Sequence, residues 1–156
     1  KNNFKPIYNN PMSQGTRCHQ LSTYIVHDSP LTMLADNPSI YKNESECTDF
    51  ITSIPNTGIE KTVVLQGTLG EYIVTARCVG SDLYIGGMTN WDARTITLDF
   101  SFLDNGEDAA VLFKDGVNAD EQAFDYKKEA MKSTAQSKLT VRMASGGGFA
   151  ISLRKI

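Results

Sequence analysis

Residues 70–103 read GEYIVTARCVGSDLYIGGMTNWDARTITLDFSFL, and this stretch sets the class of fold that the chain can adopt. Two runs rich in β-branched and aromatic residues, 72–79 and 83–88, are separated by a Gly-Ser-Asp sequence at 80–82, which is typical of a hairpin. Apolar and polar residues then alternate over 95–102, as in a half-buried strand. The stretch therefore predicts three consecutive antiparallel strands with one apolar face, which a second layer must cover.

The residues before this stretch have a helical pattern. Residues 15–26 place Cys18, Leu21 and Ile25 on one stripe, with Ser13 as a possible cap. A short second helix is predicted over 31–36, capped by Ser29 and Pro30 and stopped by Asn37 and Pro38. A third helix carries Cys47, Phe50, Ile51 and Ile54 at helical spacing and ends at Pro55. We place a domain boundary at Pro55, because strand-like sequence follows it.

Further strands are predicted after this boundary. The segment 126–132 favours a helix by propensity, but its lysines also suit an edge strand, and we prefer the strand. The alternating runs 139–143 and 149–153 suggest a hairpin linked by residues 145–148. The other runs are 62–65 and 109–114. Seven or eight short strands predict a mainly β fold, an antiparallel β-sandwich preceded by helices, α+β for the chain as a whole.

The composition is that of one ordinary domain, and a chain of 156 residues buries roughly 68–70% of its unfolded surface on folding. The net charge of −3 comes from 15 basic and 18 acidic residues, which argues against a nucleic-acid partner. No apolar run reaches the roughly 18 residues of a transmembrane helix, so no membrane partner is predicted. No initiator Met or signal peptide is visible, and we expect the chain to be a piece of a longer protein.

Few residues suggest a catalytic or metal-binding role. Three widely spaced cysteines, Cys18, Cys47 and Cys78, show neither a disulfide framework nor zinc-ligand spacing. His19 and His27 do not share a helical face at metal-ligand spacing, so a structural role is the better interpretation. The glutamates at 44, 46, 60 and 71 cannot be paired across a pocket from the sequence. No catalytic residue, cofactor-binding residue or metal ligand is therefore assigned.

Three weaker features leave alternatives open. The glycines at 146–148 could suggest phosphate binding, but they precede a strand, so a turn is preferred. An oxygen-rich segment could hold calcium, although its spacing fails the EF-hand pattern; it contains Asp115, Asn118, Asp120 and Asp125. Trp91, the only tryptophan, or Tyr84 could stack on a sugar, but an interface or core role is preferred for Trp91.

Four stretches of the chain form a specific ordered combination: PMSQGTRCHQLSTYIVHDSPLTMLADNPSIY at 11–41, GEYIVTARCVGSDLYIGGMTNW at 70–91, FKDGVNADEQAFDYKKE at 113–129 and ASGGGFAISL at 144–153. Together they resemble the C-terminal end of glycoside hydrolase family 97, the bacterial α-glucosidases and α-galactosidases typical of Bacteroidetes. The resemblance covers nearly the whole chain. It implies an N-terminal β-sandwich, a catalytic (β/α)8 barrel and a C-terminal β-sandwich in the parent enzyme.

The resemblance also implies a division of this chain. Residues 1–54 would be the closing loop and last helices of the barrel, and residues 55–156 the C-terminal domain. The catalytic carboxylates and a calcium ion would lie upstream, so the chain itself would be structural and oligomerising. The expected partners are the rest of the parent glycosidase, a second copy, and an oligosaccharide held by the parent. The expected location is periplasmic or secreted. The alternative is a carbohydrate-binding β-sandwich module using Trp91 or Tyr84.

Overall fold

The computed structural model describes residues 4–9, 12–29, 31–34 and 36–156. It contains three helices and eight strands within these ranges: α1 Arg17–Val26, α2 Pro38–Asn43, α3 Ser45–Ser53, β1 Lys61–Thr68, β2 Tyr72–Val79, β3 Asp82–Thr89, β4 Arg94–Asp99, β5 Asp108–Asp115, β6 Tyr126–Ser133, β7 Lys138–Met143 and β8 Gly148–Lys155. The predicted mainly β chain with helices at its beginning is confirmed. The predicted run 72–79 coincides with β2.

The strands form two antiparallel sheets. The larger sheet has the order β1-β2-β3-β8-β5-β6, and the smaller one pairs β4 with β7. The predicted β2–β3 hairpin is confirmed, with Val79 opposite Asp82 at its tip. The third strand of the opening stretch does not join this hairpin, because β4 pairs with β7 instead. Likewise β7 and β8 are not a hairpin, since β8 lies between β3 and β5.

The two sheets enclose the main hydrophobic core. Strand β4 crosses to the second layer because its apolar face, with Ile96 and Leu98, must cover the apolar face of the larger sheet. The strand that the alternation predicts through Phe102 ends at Asp99, the last residue of β4. Phe100 is still buried, whereas Phe102 lies outside the strand and is largely exposed. The core consists of Val74, Ala76, Ile85, Ile96, Leu98, Phe100, Ala110, Leu112, Val141, Met143, Phe149, Ile151 and Leu153.

The helices cover the other face of the larger sheet. A second hydrophobic cluster joins α1 and α3 to β3, β5 and β8; its buried residues are Cys18, Leu21, Ile25, Cys47, Phe50, Ile54, Tyr84, Phe113 and Ala150. Helix α1 comes close to β3 at Gly86, where an added Cβ would lie 2.9 Å from the Cβ of Ile25. The architecture is therefore three layers: helices, a six-stranded sheet and a two-stranded sheet. The helices and the sandwich share one cluster across the predicted boundary at Pro55.

Two details of the helical prediction are wrong. The N-cap of α1 is Thr16 rather than Ser13, since the Thr16 hydroxyl accepts a hydrogen bond from the backbone N–H of His19 at 3.1 Å. Residues 31–34 are not helical. Asn37 instead caps α2, which begins at Pro38, so this pair starts a helix where we predicted that it stops one. The predicted cap residue Pro30 lies outside the described residues.

Strand β6 confirms the preferred interpretation of residues 126–132. It pairs on one side with β5 only and is the outer strand of the larger sheet. Lys127 and Lys132 are exposed on it, and charged side chains of this kind discourage further strand pairing at an edge. The helix propensity of the segment is therefore overridden by pairing with β5.

Candidate functional site

Five segments meet at one end of the sandwich, which we call the loop end: residues 15–17, 69–71, 90–92, 116–125 and 144–147. All four stretches that carry the family resemblance contribute to it. Backbone hydrogen bonds connect the segments, from Thr16 N to Gly146 O at 3.0 Å, from Gly146 N to Asn90 O at 2.7 Å and from Asn90 N to Glu71 O at 2.8 Å. Arg17 N donates to Ala123 O at 2.7 Å. The loop end is thus one hydrogen-bonded unit.

A buried carboxylate holds the glycine loop of this unit. Asp115 Oδ2 accepts hydrogen bonds from Ala144 N at 2.8 Å and Gly148 N at 3.0 Å. Gly147 must remain glycine here, because an added Cβ would lie 2.0 Å from that oxygen. Burial raises the pKa of the neighbouring Cys18 thiol, and the Asp115 carboxylate raises it further. The glycines therefore form a turn around a carboxylate, as preferred from the sequence, and the thiol stays protonated.

The segment considered for calcium has a different role. Asp120 Oδ1 accepts from Ser145 N at 3.0 Å, and its other oxygen pairs with Arg142. Asp125 Oδ2 accepts from Asn118 N at 2.8 Å. Over the described ranges, no group of three or more His, Cys, Asp or Glu side chains could hold a metal ion. The calcium alternative for this segment is corrected, because these carboxylates are turned toward backbone N–H groups and not toward a shared centre.

Trp91 presents an exposed aromatic ring at the loop end. Its side chain is 58% exposed. The ring lies against Gly146, where an added Cβ would be 2.5 Å from Cζ3 of the indole. The side chain of Asn90 holds the loop on both sides, donating to Gly70 O at 3.1 Å and accepting from Asp92 N at 2.9 Å. A fixed ring with a free face can stack on a sugar or anchor a protein interface.

Tyr84 is not available for such stacking, which corrects its choice as an alternative to Trp91. Its side chain is 2% exposed and belongs to the cluster under the helices. Its hydroxyl donates to Ser53 O at 2.8 Å. Tyr84 therefore has no free face for a sugar and instead ties the end of α3 to the sheet.

The histidines and glutamates considered for catalysis are dispersed. The Nδ1 atom of His19 lies 3.2 Å from Gly147 O, whereas His27 caps the far end of α1. Glu44 pairs with Arg17 at 2.6 Å, and Glu71 pairs with Arg94 at 3.0 Å. The structure brings none of these four acid and base candidates together within the part of the chain that it describes.

Glu46 has a structural role at the sheet edge. Its carboxylate accepts a hydrogen bond from the Tyr126 hydroxyl at 2.6 Å and pairs with Lys128 at 3.3 Å. The hydrogen bond from Tyr126 is the main cause that lowers the pKa of Glu46. Burial is the main cause that raises the pKa of Tyr126, and the hydrogen bond to the Glu46 carboxylate raises it further. These contacts pin α3 to β6.

Arg77 is a buried cation that no sequence pattern singled out. It lies on β2 with 2% of its surface exposed, and its nearest carboxylate is that of Asp28, at 3.8 Å. Burial lowers the pKa of Arg77, partly offset by Asp28. Asp28 follows α1, so this ion pair ties the end of α1 to the larger sheet.

An apolar groove of about 670 Å³ opens between the helices and the 116–125 loop. Leu21, Tyr24, Ile40, Ile51 and Phe124 contribute apolar surface to it. Beside the helices, Leu31 and Met33 are 77% and 81% exposed. Large apolar side chains left in solvent in this number are typical of an interaction surface. Sequence reasoning missed this surface, because it assigned residues 31–36 to a helix.

None of the helices in the described part is long and apolar enough to cross a membrane.

A family profile described as "Glycosyl-hydrolase 97 C-terminal, oligomerisation" matches residues 58–154. A retaining alpha-galactosidase of Bacteroides thetaiotaomicron is 51% identical over 154 residues, which is 99% of this chain and 23% of that enzyme. A glycoside hydrolase family 97 enzyme from Pseudoalteromonas sp. strain K8, solved with acarbose, is 36% identical with a TM-score of 0.86, covering 92% of this chain and 23% of that one. The chain therefore spans about a quarter of the length of these relatives.

A more distant likeness is to a beta-arabinopyranosidase structure, with a TM-score of 0.73 at 23% identity. It covers 89% of this chain and 21% of that one. This likeness shows a shared fold and nothing further.

Proposed function

The chain belongs to the C-terminal oligomerisation domain family of glycoside hydrolase family 97, and from this premise we propose that it is the non-catalytic end of an α-galactosidase. The proposal of α-galactoside hydrolysis by the whole protein is supported by the retaining alpha-galactosidase that is 51% identical to this chain. An α-glucosidase is the second candidate for the whole protein, in keeping with the sequence resemblance.

The main evidence for a structural role of this chain is the uncovered apolar surface of its helical layer. Leu31, Met33 and the groove are exposed, while the opposite side of the same helices is buried on the sheet. We propose that residues 1–54 belong to the catalytic barrel and residues 55–156 to the C-terminal domain. The family match, which begins at residue 58, supports this division. Burying the exposed side chains against the rest of the barrel would stabilise both parts.

Other parts of the proposal concern the whole protein. We propose that a calcium ion and the catalytic carboxylates lie in the preceding part, in keeping with the resemblance to glycoside hydrolase family 97. We also propose a periplasmic or secreted enzyme that binds its oligosaccharide through the barrel. Self-association through this domain is proposed from the description of its family.

The direct test measures hydrolysis of p-nitrophenyl α-galactoside and α-glucoside by this chain and by the full-length protein that contains it. We expect turnover by the full-length protein and none by the chain alone. Robust turnover by the chain alone would show that it carries its own catalytic site. Light scattering of the full-length protein with and without residues 58–156 tests self-association, which should be lost in the shortened protein.

A carbohydrate-binding module is the alternative function, and the exposed ring of Trp91 favours it. Because Trp91 is the only tryptophan, fluorescence excited at the red edge of the absorption band, where tyrosine does not absorb, reports on this ring alone. Titration with melibiose or maltose should give a saturable change if the ring binds sugar. A flat titration with both sugars would exclude this alternative at the concentrations reached.

A further inference from the structure

Three separate loops place large apolar side chains in solvent at the loop end. Trp91 and Phe124 are largely exposed, and Val117 and Leu69 are almost completely so. Leu69 lies in the β1–β2 turn, Trp91 follows β3, and the other two belong to the β5–β6 connection. A scattered exposed apolar side chain needs no explanation, but several at one end of a domain indicate a surface that is normally covered.

This surface is ordered before anything binds to it. Hydrogen bonds from Asn90 to Glu71 O and Gly70 O fix the Trp91 loop to the β1–β2 turn. Gly146 supports the ring from below, and Asp115 in turn holds the loop that contains Gly146. A surface whose backbone is already held by hydrogen bonds loses less conformational entropy on binding than a free loop does. The loop end is therefore suited to a permanent contact.

The path of the chain into the loop end indicates what covers this surface. Residues 12–16 lead into the loop end, where Thr16 and Arg17 make backbone hydrogen bonds to Gly146 and Ala123. Helix α1 starts at this point. Since this chain covers only 23% of its relatives and matches a C-terminal family, most of such a polypeptide precedes it. The described segment nearest to such a preceding part, residues 12–16, reaches the sandwich beside Trp91.

We propose that the loop end is the surface on which the preceding part of the same polypeptide docks, with Trp91 as its anchor. The inference rests on the proposed function, in which this chain is the end of a longer glycosidase, and it adds the place of contact. A sugar is a poorer occupant, because the amide of Asn90 beside the ring is engaged within the loop. A second copy does not explain why the entering segment is hydrogen-bonded into this surface.

Hydroxyl-radical footprinting of the full-length protein tests the inference. The oxidation rate of each side chain in the native protein is divided by its rate in the same protein unfolded in urea. Phe102, exposed at the opposite end of the sandwich, is the internal control. We expect Trp91 and Leu69 to be oxidised several-fold more slowly relative to Phe102 than their exposure in this structure implies. If Trp91 and Leu69 react as freely as Phe102, the inference is wrong.

Repeating the footprinting at different protein and sugar concentrations identifies what covers the loop end. Protection by the same polypeptide does not depend on protein concentration or on sugar. If protection is lost on dilution to the monomer, a second copy covers the loop end; if it requires added melibiose, a sugar does. Either result overturns the proposal.

Variants of the full-length protein complete the test. Trp91→Ala should increase the oxidation of Leu69 and Phe124 relative to Phe102, whereas the matched control Ile156→Ala, at an exposed apolar side chain away from the loop end, should not. If Trp91→Ala does not fold, Trp91→Phe is measured instead and should give a smaller increase. Hydrolysis of p-nitrophenyl α-galactoside is recorded on the same samples. An active enzyme with an unprotected loop end would overturn this inference alone and leave the proposed function standing.

Discussion

Removing the carboxylate of Asp115 should be among the most damaging single changes at the loop end. In Asp115→Ala, the backbone N–H groups of Ala144 and Gly148, which now donate to Oδ2 at 2.8 and 3.0 Å, lose their acceptor. Each buried donor left without a partner costs about 1–3 kcal/mol, so the two together should lower the free energy of unfolding by roughly 2–6 kcal/mol. At about 2–4 °C per kcal/mol for a chain of this size, a mid-range loss lowers Tm by roughly 8–16 °C.

Urea unfolding followed by circular dichroism measures this loss, and the fluorescence of Trp91 reports on the adjoining loop. Asp115→Asn keeps an oxygen at the same place but removes its charge, so it should lose clearly less than Asp115→Ala. The control is Asp125→Ala, because Asp125 holds the exposed backbone N–H of Asn118, and it should cost at most about 1 kcal/mol. A loss in Asp115→Ala no larger than in this control would refute the reasoning.

Three further changes probe other parts of the structure. Gly87→Ala would place a Cβ 2.1 Å from the ring of Phe149 and should cost about 1–3 kcal/mol by overpacking, measured by the same urea titration; an unchanged midpoint would contradict the packing described. In the native chain, Cys78, which is half-buried, should react with DTNB well before the two buried cysteines, and equal rates for all three would argue against the burial of α1 and α3. The hydrogen bond from Tyr126 lowers the pKa of Glu46 in the folded chain. This contact therefore stabilises the fold fully above the pKa of Glu46 in the unfolded chain, and the stabilisation is lost as pH falls through the pKa of Glu46 in the folded chain. Glu46→Gln should therefore flatten the decline of stability below about pH 4.5, and a parallel decline in both chains would show that this contact contributes nothing.

Much of the fold could be predicted because strand patterns are local. The β-branched and aromatic composition of residues 72–79 predicted β2 with the bounds that the structure shows, and the lysines of 126–132 were compatible with the edge position that β6 takes. The start of α2 was mistaken for a helix end, because Asn-Pro is found at both places. Only the hydrogen bonds from Ser39 and Ile40 to the Asn37 side chain distinguish the two.

The two aromatic residues singled out for sugar stacking show where local reasoning stops. Both lie in or beside strands of the same hairpin region. Tyr84 faces the helical layer and is buried, whereas Trp91 follows β3 and is exposed. Which face of the sheet the helices cover depends on contacts between residues far apart in sequence, so the burial of Tyr84 could not be read from its neighbours.

The sequence by itself determined which segments are strands, which of their faces are apolar and where most helices lie, because these properties depend on the period of side chains along a few residues. It also carried the family resemblance, through four separated stretches. Only the tertiary structure decided that β4 leaves the hairpin to pair with β7, and that those four stretches converge around Asp115 and Trp91. The physical reason is that the partner of a strand and the burial of a side chain are set by long-range contacts, whose energy is gained only when distant parts of the chain meet.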